Sequence, residues 1–222
     1  MTKKINIAID GPSGAGKSTI AKTIANKFNY LFINTGSLYR AIAYYLNSQK
    51  INLYNEGLVC SKWSNNKLDL KISGEILIEG VNVTPFLRDD SISQKSSIIA
   101  KYSKIRNDIN EILKNFQTMN KGVIMEGRDT TYNIMPNAEL KIFLWADSKT
   151  RAMRRVKQNE ELSLETNFET VWKELEKRDY NDTHRKLDPL QKTEDSIFID
   201  STHLNFDQVV EQISKLINAK LS

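Results

Sequence analysis

The segment from Ile5 to Thr19, INIAIDGPSGAGKST, constrains this chain more than any other. Ile5, Ile7, Ala8 and Ile9 predict a buried parallel strand that ends at Asp10, with a helix directly after it. Between the two, Gly11, Pro12, Ser13, Gly14, Ala15, Gly16, Lys17, Ser18 and Thr19 carry the spacing G-x-x-x-x-G-K-[ST], a phosphate-binding loop. Its glycines let the backbone wrap so that successive N–H groups face an anion, and the new helix adds its positive end. Lys17 is the point charge for the outer phosphates, and the Ser18 hydroxyl is a ligand for magnesium.

Composition narrows what such a loop can serve. The chain has 222 residues, enough for one α/β domain with an insertion, and a formal net charge of +5. That charge fits an anionic partner, either small phosphates or nucleic acid, and is also common on solvated surfaces. Cys60 is the single cysteine, so an internal disulfide is excluded, and with His184 and His203 scattered there is no zinc-ligand spacing. The opening MTKK runs straight into the first strand, and no apolar run approaches ~18 residues, which predicts a cytoplasmic protein.

Along the chain, helical periodicity from Ser18 to Phe28 is followed by a short strand at Leu31–Ile33, which makes a βαβ unit. Asn34-Thr35-Gly36 then reads as a turn before a helix over 37–46. From Leu68 the pattern alternates through Leu70, Ile72, Ile76, Ile78, Val81 and Val83, out of step with that rhythm, and predicts an inserted antiparallel subdomain. Residues 91–117 read as two helices or one bent near Tyr102. A basic helix over 149–158, a second over 168–180 and an amphipathic helix over 206–221 follow. The predicted fold is α/β: a five-stranded parallel sheet, strands at about 5–10, 31–34, 123–126, 140–145 and 196–199, in the order 2-3-1-4-5 with helices on both faces. Asn66-Lys67-Leu68-Asp69 spells the guanine-reading N-K-x-D of GTPases, but no D-x-x-G accompanies it and Leu68 and Leu70 belong to a strand pattern, so it reads as coincidence.

Arginines and acids beyond the loop discriminate better. Arg40, Arg106, Arg128-Asp129, then Arg151, Arg154 and Arg155, then Arg178, Asp179, Asp182 and Arg185 lie near strand carboxyl ends or on elements able to fold over them. Arginine binds phosphate oxygens with a planar fork and keeps its charge. Singly such residues are ordinary surface decoration; with the loop they suggest a site for two phosphate-bearing substrates.

On these residues the chain resembles the bacterial cytidylate kinases over nearly its whole length. The likeness rests on IAIDGPSGAGKST, TGSLYR at 35–40, the antiparallel insertion before Arg88, EGRD at 126–129, KIFLWA followed by RAMRR at 151–155, and KRDYNDTHR with its Asp188-Pro189-Leu190 tail. The resemblance implies a nucleoside monophosphate kinase fold and transfer of a phosphoryl group from ATP–Mg²⁺ to CMP or dCMP. It implies that the loop with Lys17 holds ATP, Ser18 magnesium, and Arg151, Arg155 and Arg154 the ATP phosphates. Arg40, Arg128 and Arg185, with Thr35 and Tyr39, would grip the acceptor phosphate; Ser97, Arg106 and Asp129 would face the cytosine; Arg178 and Asp182 the ribose. A carboxylate and a hydroxyl can accept from the exocyclic amine of cytosine and an arginine can donate to its carbonyl and ring nitrogen, whereas uracil reverses the key donor.

The expected organisation is one kinase domain, 1–222, with its core at 1–65 and 118–222, a monophosphate-binding insertion at about 66–100 and a short lid at about 156–167. The expected partners are small nucleotides, without nucleic acid or membrane, and the expected state is a monomer. Family members usually continue G-R-D with Ile-Gly-Thr, where this chain has Thr130-Thr131-Tyr132, and usually carry aspartate where Asn34 stands. The competing readings are an adenylate- or thymidylate-type kinase of the same fold and, from another class, a nucleic-acid-binding phosphate-loop protein.

Overall fold

The computed structural model describes residues 3–87 and 89–222; Arg88, which bounds the resemblance at the insertion, lies outside the described residues. In chain order the elements are β1 (Ile7–Asp10), α1 (Lys17–Phe28), β2 (Leu31–Asn34), α2 (Thr35–Ser48), α3 (Glu56–Lys62), β3 (Leu68–Leu70), β4 (Ile76–Ile78), β5 (Val81–Asn82), α4 (Asp90–Ile99), α5 (Ser103–Met119), β6 (Val123–Gly127), β7 (Leu140–Trp145), α6 (Ser148–Glu161), α7 (Phe168–His184), β8 (Ile197–Asp200) and α8 (Phe206–Leu221). The larger sheet has the order β2-β6-β1-β7-β8, which is the predicted 2-3-1-4-5. The chain divides into two compact units, residues 1–30 with 122–222, and residues 31–121.

In the first unit β1 lies between β6 and β7. Ile7 pairs in parallel with Ile124 of β6 on one side and Leu140 of β7 on the other, and Ile142 of β7 pairs with Ile197 of β8. All four residues of β1 are fully buried, as expected of a strand covered on both faces. Asn6 sets its start: the Oδ1 atom accepts from the amides of Gly122 and Val123 at 3.0 and 3.1 Å, locking β6 into register. The apolar face of α1 (Ile20, Ala21, Ile24, Ala25) and that of α8 (Val209, Ile213, Ile217) are buried against this sheet and each other. Each fully buried isoleucine of that set contributes about 1.5–3 kcal/mol.

The second unit surrounds α2. Its face Leu38, Ala41, Ile42 and Leu46 is solvent-free and packs on α4 and α5, the latter presenting Ile105, Ile109, Leu113 and Phe116. Asn34 does not open a turn, as its sequence neighbours suggest, but caps α2: its Oδ1 accepts from the Ser37 amide at 3.0 Å, so the helix begins at Thr35. An asparagine performs that capping as an aspartate would. The strands β3, β4 and β5 form an antiparallel sheet with Leu68 opposite Ile78 and Leu70 opposite Ile76. Lys67 of the N-K-x-D segment is bonded to the Tyr45 hydroxyl (2.7 Å) and paired with Glu79 (3.0 Å), a structural role. Of the two arrangements open for 91–117, the structure has two separate helices, α4 and α5, with Tyr102 at the N-cap of α5.

Candidate active site

The phosphate loop is shaped by what lies beneath it. At Gly11 a Cβ would stand 1.9 Å from the carbonyl oxygen of Leu144 in β7, so no side chain fits. Gly14 and Gly16 have φ of +77° and +85°, the left-handed region that glycine enters without strain. Gly16 is the N-cap of α1 and caps no amide with a side chain, an opening that presents first-turn N–H groups to an anion. Lys17 is buried and its Nζ donates to the Pro12 carbonyl at 2.8 Å. Burial, then the nearby charge of Arg128, pushes its pKa down to about 7, against the opposite pull of Glu126 and Asp10. The Ser18 hydroxyl donates to Glu126 Oε1 at 2.6 Å. In the sequence Glu126 stands only as the first residue of EGRD, with no role of its own; the signal for one is an acid on a core strand beside β1, in register with Ile9.

The loop is braced by α6 and α7, which form an antiparallel-type hairpin around Ala152, Val171 and Leu175, with Val156, Phe168 and Trp172 packed alongside. This places Arg151 and Asp179 together at the loop. Arg151 donates from Nε to Ala146 O at 2.8 Å and from Nη1 to Ser13 O at 2.8 Å and Asp179 Oδ2 at 2.5 Å, while Asp179 Oδ1 accepts from the Ser13 amide at 3.1 Å. Both ends of Ser13 are therefore held. The other two arginines of the helix diverge. Arg154 donates to Ser201 O at 2.6 Å and to Leu204 O, tying α6 to the connection after β8, and burial lowers its pKa. Arg155 donates to Gln158 on the exposed side. Residues 156–161 of the expected lid are the last turns of α6, which runs three residues beyond the helix expected over 149–158.

Beyond β6 the acids and arginines interlock. Arg128 donates from Nε to Asp182 Oδ2 at 2.7 Å and from Nη1 to Gly127 O at 3.1 Å. Burial pushes the Asp182 carboxyl upward, but Arg128, Arg178 and Arg185 together outweigh it and leave it below the usual carboxylate range. Arg185 donates from Nη2 to Asp129 Oδ1 at 3.2 Å and lies 3.8 Å from Asp182 Oδ1; Nε and Nη2 both donate to the Asp188 carbonyl. Asn133 Nδ2 occupies the second oxygen of Asp129 at 2.9 Å, a contact without any sequence signal.

Residues Thr130–Ile134 form a single wide turn that resolves the departure from Ile-Gly-Thr. The buried Asp10 carboxylate accepts from the amides of Thr130 and Thr131 at 2.9 and 2.7 Å and from the Thr131 hydroxyl at 2.7 Å. Thr131 does not take a positive φ, so glycine is not required there, and its hydroxyl adds a bond that glycine lacks. Burial raises the Asp10 pKa despite these bonds.

The remaining candidates belong to the second unit. Thr35, Tyr39 and Arg40 lie within the first two turns of α2, Thr35 buried and the other two partly so. Arg106, only 1% exposed, donates to Ala100 O at 3.3 Å and stacks its guanidinium 5.6 Å from the Tyr39 ring centre. Ser97 is exposed on α4 and donates to Ser93 O. The sequence-predicted base readers are thus divided, Ser97 and Arg106 in one unit and Asp129 in the other.

Known proteins resemble this arrangement at two distances. Among solved structures, a Thermus thermophilus protein shares the fold at 14% identity with a TM-score of 0.53 over 99% of this chain and 98% of its own. A gluconokinase from Sinorhizobium meliloti does so at 12% and 0.50 over 97% and 95%. Nearer in sequence are cytidylate kinases of Mesomycoplasma hyopneumoniae, 58% identical over 99% of this chain and 96% of theirs, and of Bacillus licheniformis, 40% identical over 99% of both. The family model for cytidylate kinase matches residues 7–219, from the first strand into the last helix. With the family model spanning nearly the whole chain and identities of 40–58% at near-complete coverage, the chain belongs to the cytidylate kinase family.

Proposed function

We propose that this protein transfers the γ-phosphoryl group of ATP to CMP and dCMP, giving ADP with CDP or dCDP. The observation that carries the reading is the pairing, in one compact unit, of a phosphate loop holding Lys17 with a second cluster of arginines, Arg128 and Arg185, which supplies charge for a second phosphate. The family fixes which acceptor that second phosphate belongs to.

In this reading the loop amides and Lys17 hold the outer phosphates of ATP, and Arg155 closes over them from α6. Arg151 acts chiefly by fixing Ser13 and so the loop, and Arg154 by fixing the end of α6. Arg128 and Arg185 bind the acceptor phosphate, and the family resemblance assigns Arg40, Thr35 and Tyr39 to the same group. Asp129, Ser97 and Arg106 read the cytosine, and Arg178 and Asp182 serve the ribose. The acceptor oxygen is already anionic at neutral pH, so no general base is required; alignment and charge neutralisation provide the acceleration.

Magnesium fits the oxygen donors at the end of the loop. The Ser18 hydroxyl and Glu126 carboxylate lie within 2.6 Å of each other, the hard-oxygen pair that this ion takes together with substrate phosphates. Bound there, it supplies neutralisation of phosphate charge. Residues 66–100 are taken as the monophosphate-binding insertion and 156–167 as the lid, whose closure excludes water and suppresses ATP hydrolysis. Among the described residues no helix is long and apolar enough to cross a membrane. We assign the enzyme to the cytoplasm, as a monomer acting on free nucleotides and not on nucleic acid.

A coupled ADP-release assay over CMP, dCMP, UMP, AMP and TMP tests the reading. CMP and dCMP are expected to exceed AMP and TMP in kcat/KM by at least an order of magnitude; equal use of AMP or TMP would overturn it.

A further inference from the structure

Tyr132 has no part in the phosphate or base contacts above, yet it is attached to them. It lies in the wide turn Thr130–Ile134, directly after Asp129 and beside Asn133, and its Oη donates to the Pro189 carbonyl at 2.6 Å. The preceding residue, Asp188, has a φ of +45°, a sparsely populated conformation for a residue with a side chain and one that the following proline disfavours further. Such a conformer persists where neighbouring contacts hold it. The contacts are visible: the Leu190 amide donates to Asp182 O at 2.7 Å, the Arg185 guanidinium donates twice to Asp188 O, and Tyr132 pins the next carbonyl.

We propose that Tyr132 is a positioning residue for Arg185. The Asp188 carbonyl receives Nε and Nη2 of Arg185, which sets the plane of the guanidinium and turns Nη1 toward the cluster that includes Asp182, 3.8 Å away. One turn therefore holds Arg185 from two sides, directly through Asp129 and indirectly through Tyr132, Pro189 and Asp188. A planar fork grips phosphate with two bonds only when its plane is fixed, so loosening the Asp188 carbonyl weakens the acceptor site without touching the loop that holds ATP. The inference rests on the assignment of Arg185 to the acceptor phosphate.

Tyr132→Phe removes the hydroxyl and keeps the ring. The expected result is a rise of about three- to tenfold in KM for CMP, the scale of one net hydrogen bond, with KM for ATP unchanged within twofold. In an Arg185→Ala background the same substitution should add less than about twofold, because the group it positions is gone. Arg185→Lys provides a second background should the alanine variant fold poorly, and thermal unfolding of each protein separates local from global effects. If KM for CMP in Tyr132→Phe is unchanged, or the factor is the same with and without Arg185, the positioning role is refuted while the phosphate role of Arg185 stands. If Arg185→Ala itself leaves KM for CMP unaltered, the phosphate assignment falls, and the positioning role falls with it.

Discussion

Binding of ATP–Mg²⁺ at pH 8 should be accompanied by uptake of close to one proton, taken by Lys17. In the ligand-free protein burial, reinforced by Arg128, lowers the Lys17 pKa from 10.5 to about 7. At pH 8 a group of that pKa is about 90% neutral, and at pH 6 about 10% neutral. Phosphate oxygens beside Nζ favour the ammonium, so binding restores the missing proton: about 0.9 per nucleotide at pH 8 and about 0.1 at pH 6. The same linkage makes affinity fall by up to about tenfold per pH unit above 7 until the bound-state pKa is reached. For folding the sign is opposite. Between about 7 and 10.5 the unfolded chain carries a proton that the folded one has released, so this group makes the ligand-free protein more stable as pH rises through that window. Titration calorimetry in two buffers of different ionisation enthalpy measures the uptake directly. Lys17→Gln provides the reference that subtracts protons taken or released by the nucleotide itself. Equal uptake in the two proteins at pH 8 would refute the depressed pKa.

Two further outcomes follow from individual contacts. Asp182→Ala should lower kcat/KM for CMP and for dCMP by the same factor, roughly one to two orders of magnitude, because its first effect is to release Arg128 from a charge-assisted bond; a loss confined to CMP, measured as the ratio of the two kcat/KM values, would instead assign Asp182 to the 2′ hydroxyl. Gly11→Ala should lower the melting temperature by about 10 °C or prevent folding, since the new Cβ meets the β7 backbone at 1.9 Å and not a movable side chain; a stable variant in a thermal melt would show that the loop can shift off Leu144.

Reading the residues in order recovers much of this molecule because its main signals are local. The periodicity of residues 206–221 is a property of one helix, and it appears in the structure over the same span. The five core strands also follow from local signals, since alternation or an apolar run decides each strand; their order agrees with the expected one, which the handedness of crossovers restricts without determining. The phosphate loop is legible for the same reason: its function resides in backbone amides whose geometry a few glycines dictate within eight residues.

Tertiary structure alone decided which charged groups meet. The i, i+4 spacing of Arg151 and Arg155 puts them on one helix face, yet the first is buried against Ser13 while the second stays on the exposed side, and Arg154 between them holds the connection after β8. Asp179 and Asp182 look alike on one helix face, but one binds the loop and the other Arg128. Thr130-Thr131-Tyr132 likewise reads as the loss of a glycine until Asp10, 120 residues earlier, is found accepting from that turn. The sequence by itself determined the periodicities and the amide-lined loop, which depend on neighbours along the chain. The partners of each arginine were left to the fold, because a charge several ångströms long on a flexible stem is directed by whatever acid or carbonyl distant segments bring within reach.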